Sequence, residues 1–478
     1  MSKYLVTIGL ETHVQLKTRT KMFCGCSLKF GDEPNTNVCP VCLGYPGALP
    51  VVNREAVRLT VISGLMLGCE ISRYSTFDRK NYFYPDMSKG YQISQNANPL
   101  CLGGGVMIET PEGPKRIRIN HIHMEEDAAK INHYAGCSGV DFNRCGTPLM
   151  EIVSEPDLSS PDEAMAYLQA LKQILLYAGV SDCNLEEGNM RSDVNISVRP
   201  AGQERLGTKV EIKNMNTFKG IHAALEYEIA RQLAVVRGGG ALVQETRRWD
   251  MDAGETQSMR SKEDALDYRY FPEPDLAPLE LDAELVELWR ADLPEAPAAR
   301  RERMMAEYGI PAYDAGVLAD AKDNADFFEA AALACRPELG KNVSNWFMTE
   351  VMRLLSESGR AVSECALTPA ALAELVCLLE DGVINGPTAK ELLPELFQHG
   401  GMPAVLVEER GLAQVSDSAA LKALIEQVFA ENPKTVEDYL AGKKAAAGFL
   451  VGQVMKLSKG KADPKLAGKL VAQRLARS

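Results

Sequence analysis

Three consecutive carboxylates, Glu125-Glu126-Asp127, close a segment that otherwise alternates apolar and polar residues, and few folds accommodate that combination. Residues 115–123 place Ile117, Ile119 and Ile122 in the pattern of a half-buried strand. His123 precedes the acids and Lys130 follows them. Carboxylates inside an ordered, half-apolar segment are costly unless cations or hydrogen-bond donors meet them. On an extended backbone Glu125 and Asp127 point one way and Glu126 the other, which leaves one of the three for structure.

Two further sets of residues are suited to meet this cluster. Residues 5–16 alternate, so Glu11 and His13 share a strand face. Asp193 and Asn195 share a face of a later strand, as do Glu211 and Lys213 of the next, with a turn around Gly202 between them. Magnesium takes oxygen ligands from a few carboxylates, completed by phosphate and water. Strands bearing Glu11, Glu125, Asp193 and Glu211 are therefore expected to converge on a magnesium-nucleotide site, with His13 as ligand or orienting group. Such mixed nitrogen and oxygen ligation also suits manganese. Lys80, Lys213 and Arg191 are candidates to neutralise charge on a transferred phosphoryl group. For any single carboxylate, an acidic sheet face held by Lys and Arg accounts for the pattern equally well. Tyr82-Phe83-Tyr84, set between charges and Pro85, fits either stacking on a base or one buried ring with two at a rim. Gly103-Gly104-Gly105 is not followed by Lys-Ser/Thr, so it reads as a loop and not a phosphate loop.

Cys24, Cys26, Cys39 and Cys42 are the only clustered cysteines of twelve. Two close pairs suit a tetrahedral structural zinc, whose four ligand positions they fill. With the other cysteines scattered, no signal-peptide pattern and no apolar run of the ~18 residues a membrane span requires, a cytoplasmic bacterial protein without a membrane or DNA partner is expected. Charge is uneven. From Lys443 to Ser478 nine Lys or Arg stand against Asp463 alone, a surplus of eight, leaving −21 on the rest of a chain whose net charge is −13. That basic end, including Lys443, Lys444, Lys456 and Lys459, is where RNA contact is expected.

Helical spacing marks residues 53–68, 161–178 and 219–236, the second with Ser160 as N-cap and an apolar face of Ala164, Leu168, Leu171, Leu175 and Leu176. Beyond Pro294 and Pro297 the chain is rich in Ala, Leu and Glu with helical periods. The expected class is α+β. A mainly antiparallel sheet domain spans 1–293 with the zinc knuckle at 24–42, a helical domain spans 294–405, and a basic helical tail module spans 406–478.

Several stretches resemble one family. They are Gly9-Leu10-Glu11-Thr12-His13-Val14, Asp78 to Asp86, His123 to Lys130, Asp141 to Ile152, Arg191 to Asn195, Glu211 to Asn216, Tyr268 to Asp275, and Phe449 to Lys456. The chain is similar, end to end, to the B subunits of bacterial glutamyl-tRNA(Gln)/aspartyl-tRNA(Asn) amidotransferases. The resemblance implies a cradle domain related in fold to glutamine synthetase. It implies ATP-dependent phosphorylation of the side-chain carboxylate of a misacylated tRNA, then displacement of phosphate by ammonia. Because this chain shows neither a Gly-x-Ser-x-Gly elbow nor an amidase signature, ammonia is expected from a partner, which the resemblance implies is an amidase A subunit clamped by a small C subunit. Arg191, Asn195, Asn214, Glu126 and Asp127 are candidate nucleotide contacts, and Tyr82 and Tyr84 candidate substrate contacts. The alternatives are a non-catalytic tRNA-binding scaffold and a phosphotransferase acting on a free small acid or guanidine compound.

Overall fold

The computed structural model describes residues 3–476, apart from 186, 262–267, 414–417, 441–442, 459–461 and 463. Contacts divide the chain into Met1–Ala296 and Pro297–Ser478, three residues beyond the first boundary expected from composition.

The first unit begins with β1 (Tyr4–Gln15), whose Ile8, Leu10 and Val14 are buried on one side while Glu11, His13 and Gln15 take the other. Helix α1 (Arg54–Met66) starts where the Asn53 side chain accepts hydrogen bonds from the Glu55 and Ala56 amides, satisfying two otherwise free donors. Five short strands follow: β2 (Glu70–Ile71), β3 (Tyr74–Ser75), β4 (Asp78–Asn81), β5 (Tyr91–Ser94) and β6 (Cys101–Leu102). The hairpins β7 (Gly105–Thr110) with β8 (Gly113–Glu126), and β9 (Lys130–Tyr134) with β10 (Cys137–Asp141), lead to β11 (Pro148–Ser154). Helix α2 (Pro161–Tyr177) has Pro161 in its first turn and the Ser160 hydroxyl accepting from the Glu163 amide. The remainder is β12 (Met190–Pro200), β13 (Val210–Lys213), α3 (Phe218–Arg237), β14 (Glu245–Asp250), β15 (Glu255–Ser261), β16 (Phe271–Pro272), β17 (Leu279–Glu280) and α4 (Ala283–Ala291).

Ten strands form one sheet in the order β15-β14-β13-β12-β1-β11-β8-β6-β2, with β7 also on β8. Every pair is antiparallel except β13 with β14, which run parallel because α3 carries the chain back between them. The first strand of the chain therefore lies in the sheet interior, between β12 and β11. One sheet face packs Ile8, Leu10, Ile122, Met124, Ile152 and Val194 into a core with Leu168 and Leu171 of α2 and Ile221 and Leu225 of α3. Leu176 does not join that core: it is 39 % exposed, and the α2 stripe runs through Leu168, Leu171 and Leu175 instead. The opposite face is polar, and it carries the site.

The second unit is built of helices from Pro297–Tyr308 to Pro464–Leu475. It holds two separate apolar clusters, one from Met304 to Val407 around Phe328, Phe347 and Leu372, the other from Leu421 to Leu475. Val407 packs within the first, so the break between clusters falls a little after position 405. Among the described residues no helix is long and apolar enough to cross a membrane.

Candidate active site

Register decides which side chains meet. On β1, Glu11 lies opposite Asp193 of β12 and Val153 of β11, and His13 lies opposite Arg191 and Glu151. Glu151 in turn lies opposite His123 of β8, two residues before Glu125. On the other side, Asn195 of β12 lies opposite Glu211 of β13. Because side chains alternate along each strand, these residues share the polar face, and all but Asn195 line an open cleft of about 900 Å³.

At the floor of the cleft His13 Nε2 lies 3.4 Å from Glu125 Oε1 and 3.3 Å from Glu151 Oε2. His123 Nε2 is 3.4 Å from the same Glu151 oxygen, and His121 Nε2 is 3.2 Å from His123 Nδ1. One ligand atom each from His13, Glu125 and Glu151 falls within 4.8 Å of the others, a spacing that can hold a metal ion. Glu125 is buried, and its Oε2 has no hydrogen-bond partner. A carboxylate oxygen in that state has coordination to offer. The electrostatics agree with the geometry. Burial pushes His13 down, but the hydrogen bond to Glu151 and the charge of Glu125 outweigh it, and the imidazole is raised above its ordinary value. Burial, the largest effect on His123, lowers it. Glu151, although buried, is held well below the usual carboxylate range by His13 and His123. Burial raises Glu11, with help from Glu151 nearby, against a 2.8 Å hydrogen bond donated by Asn195 Nδ2.

The other expected site residues divide into groups. Lys213 Nζ bridges Asp193 Oδ2 (2.7 Å) and Glu211 Oε1 (3.1 Å), while Thr246 donates to the second Glu211 oxygen at 2.8 Å. Burial would lower Lys213, but these two acids raise it. Lys80 lines the cleft with its Nζ 4.9 Å from the Tyr268 ring centroid, and Glu125 leads the charges that keep it cationic against burial. Asn214, with a left-handed φ of 66°, also lines the cleft, as does Tyr82. Tyr84 is absent from the lining and lies half-exposed beside Tyr82, with ring centroids 5.9 Å apart. Asn195 is likewise outside the lining; its amide serves to hold Glu11. Glu126 turns away altogether: its carboxylate takes the Lys89 ammonium and the Ile93 amide (3.0 Å), beyond reach of the cleft. Asp127 stays at the cleft wall, where Arg191 Nη2 donates to it at 3.0 Å and Arg144 stands 3.7 Å away. The acids and histidine expected as one cage thus separate into His13 with Glu125, Glu11 beside them, and Asp193 with Glu211 around Lys213.

Glu151 and His123 are the functional candidates that sequence pattern did not assign. A single charged residue between Met150 and Ile152 in an apolar strand is the signal that marks Glu151. In the second unit Lys443 pairs with Asp438 at 3.0 Å, Lys444 and Lys456 are exposed, and Lys459 lies outside the described residues.

The sulfurs of Cys24, Cys26, Cys39 and Cys42 also lie within 4.8 Å of one another. Cys39 and Cys42 are 3.9 Å apart, near the ~3.8 Å edge of a tetrahedron with metal–sulfur bonds of ~2.3 Å. A hydrogen bond from Cys24 holds the Cys42 thiol down at about 4, helped by the Cys39 amide and by Lys21, whose Nζ is 3.5 Å away. A thiolate is the form that ligates metal.

Fold and site together define an α+β catalytic domain, with a metal-competent carboxylate–imidazole floor, followed by a helical unit. The chain matches the family described as GatB/GatE catalytic domain over residues 6–287 and the GatB domain over 326–475. It is 53 % identical over 477 residues to the B subunit of the aspartyl/glutamyl-tRNA(Asn/Gln) amidotransferase of Caldanaerobacter subterraneus subsp. tengcongensis, covering 99 % of this chain and 100 % of that protein. It is 52 % identical over 478 residues to the corresponding protein of Geotalea uraniireducens, covering 99 % of each. Identity to its counterpart in Myxococcus xanthus is 50 % over 477 residues, again 99 % of each. The chain belongs to the family of B subunits of these tRNA-dependent amidotransferases.

Burial alone would raise Asp127, but Arg191 and Arg144 outweigh it and its carboxyl is lowered. A folded-state pKa below the unfolded one gives stability that is present above the unfolded value, about 3.9, and lost as pH falls through the folded value. Arg191→Met is therefore expected to lower the urea midpoint at pH 7. The deficit should shrink as pH drops below about 4. A deficit that persists undiminished at pH 3, measured by circular dichroism, would assign the effect to packing and not to charge.

Proposed function

We propose that this chain uses ATP to activate the side-chain carboxylate of glutamate or aspartate carried by a misacylated tRNA(Gln) or tRNA(Asn), and presents it to ammonia. The observation that carries this reading is the His13–Glu125–Glu151 cluster at the floor of an open cleft, with one Glu125 oxygen unpartnered. A carboxylate does not accept ammonia until it has a leaving group, and phosphorylation supplies one. His13, Glu125 and Glu151 would hold a magnesium ion, with Glu11, Asp193 and Glu211 on the same face to hold a second or to orient water. Magnesium, when bound, offsets the negative charge of the transferred phosphoryl group.

The remaining work falls to the chain's own groups. Lys80, kept protonated by Glu125, faces the cleft and can stabilise charge that develops on phosphoryl oxygens. Arg144 and Arg191 hold Asp127 at the wall and keep cationic groups beside it. His123 Nε2, 3.4 Å from Glu151 and 3.9 Å from Glu125, helps fix the Glu151 carboxylate. The sheet takes the part of a glutamine-synthetase-like cradle, and ammonia comes from an amidase A subunit joined through a small C subunit in the bacterial cytoplasm. The four cysteines hold a structural zinc. The basic end of the second unit contacts the tRNA body.

Glu125→Gln and Glu151→Gln are each expected to lower tRNA-dependent ATP cleavage by the complex at least ~10²-fold while leaving tRNA affinity unchanged. Retained ATP cleavage would favour a scaffold role instead, and cleavage indifferent to charged tRNA a phosphotransferase. Replacing Lys443, Lys444 and Lys456 by Ala should weaken tRNA binding and reduce the slope of log affinity against log salt by about 1 per lost phosphate contact. An unchanged slope removes the tail from the interface. Elemental analysis should find one zinc per chain, lost in Cys39→Ser together with thermal stability. A metal-free protein of unaltered stability refutes the zinc assignment.

A further inference from the structure

Outside the four-cysteine cluster, most thiols are isolated or sealed. Cys69, Cys101, Cys145 and Cys183 are buried, Cys137 is exposed, and Cys365 bonds to the Val362 carbonyl at 2.9 Å. Cys335 and Cys377 differ. Their sulfurs are 3.1 Å apart although 42 residues separate them in the chain. Cys335 is the residue at which the helix Lys322–Ala334 ends, with an extended backbone (φ −96°, ψ 177°), and Cys377 lies within the helix Pro369–Glu380. Both are half-buried at the margin of the first apolar cluster of the second unit, so small reagents can reach them. These two helices pack directly on each other.

We infer that Cys335 and Cys377 form an oxidisable dithiol, a modification site that closes to an intrachain disulfide when it meets a low-molecular-weight disulfide. In the first step one cysteine loses its proton and its thiolate attacks a sulfur of the small disulfide, breaking that S–S bond and releasing one small thiolate. In the second step the other cysteine, deprotonated in turn, attacks the protein-bound sulfur of the mixed disulfide and releases the second small thiolate. Two cysteine sulfurs are oxidised, one small disulfide is reduced to two thiols, and the two protons pass to solvent or to the released thiolates. The product ties the end of one helix to the side of another and closes the chain between them. Burial, then the hydrogen bond to Cys377, pushes Cys335 up to about 11, so the dithiol is slow at neutral pH and faster in alkali. Arg336, next in the chain, opposes that rise but is itself paired with Asp381 at 2.9 Å.

The test uses the full-length protein treated with glutathione disulfide, quenched with N-ethylmaleimide and mapped as unreduced peptides by mass spectrometry. The expected result is a cross-linked peptide pair containing Cys335 and Cys377, reversed by dithiothreitol, whose rate of formation climbs as pH rises from 7 to 9. Its formation should raise the melting temperature by roughly 5 °C, as for a cross-link closing a loop of this length. Cys335→Ser and Cys377→Ser should lose both the cross-link and the temperature shift, while Cys365→Ser keeps them. Separate glutathione caps on the two cysteines, full alkylation of both after exposure to the oxidant, or linkage of either to another cysteine would overturn the inference. The peptide map of the unmodified sequence decides the matter even if a serine variant folds poorly.

Discussion

Everything in the catalytic unit depends on the register of β1 between β11 and β12. The backbone ladder that sets His13 opposite Glu151 on one side and Arg191 on the other also sets Leu10 and Val14 into the core. A slip of one residue would turn the acids and His13 into the apolar layer and expose Leu10 and Val14. That exchange is prohibitive, because each fully buried aliphatic side chain contributes roughly 1.5–3 kcal/mol and each buried unpaired charge costs more. The core therefore enforces the geometry of the site. Polar pins support the same register from the buried side, where the Thr12 and Ser192 hydroxyls meet at 2.9 Å and Ser154 Oγ accepts from the Leu10 amide at 2.9 Å.

With alignment fixed, the distribution of cations sorts acids that look alike in sequence. Asp127 is taken by two arginines, Asp193 and Glu211 share one lysine, and Glu126 is taken by Lys89. Glu125 and Glu151 are left facing two imidazoles. Imidazoles coordinate or release a proton where an arginine can only pair, so this is the part of the cleft whose charge balance a metal ion can complete. The neighbouring acids already carry a paired cation and shape the cleft, and Asp193 and Glu211 meet a further ion only by displacing Lys213.

The α+β class, the polar strand faces and the central helices were legible because they rest on periodicities of two and 3.6 residues, which sequence displays directly. The opposite directions of Glu125 and Glu126 followed from the same rule. Glu151 and His123 were harder to see. Their importance comes from lying across the ladder from His13 and from each other, and strand order is a property of the whole sheet and not of any local stretch. The separation of the carboxylates into sub-clusters was illegible for a similar reason, since Lys213 and Arg191 choose their partners by distances that spacing along the chain does not encode. Tyr84 shows the limit of composition: an aromatic run suggests stacking, but the strand stops at Asn81, and the ring leaves the cleft.

The placement of β1 also bears on how the molecule is made. Its ladder partners include Ile196 for Ile8 and Pro200 for Tyr4, so the strand is paired on one side by a segment synthesised nearly two hundred residues later. Until then its amides, carbonyls and apolar side chains lack their native cover. Contacts so distant in sequence slow folding and lengthen exposure to aggregation.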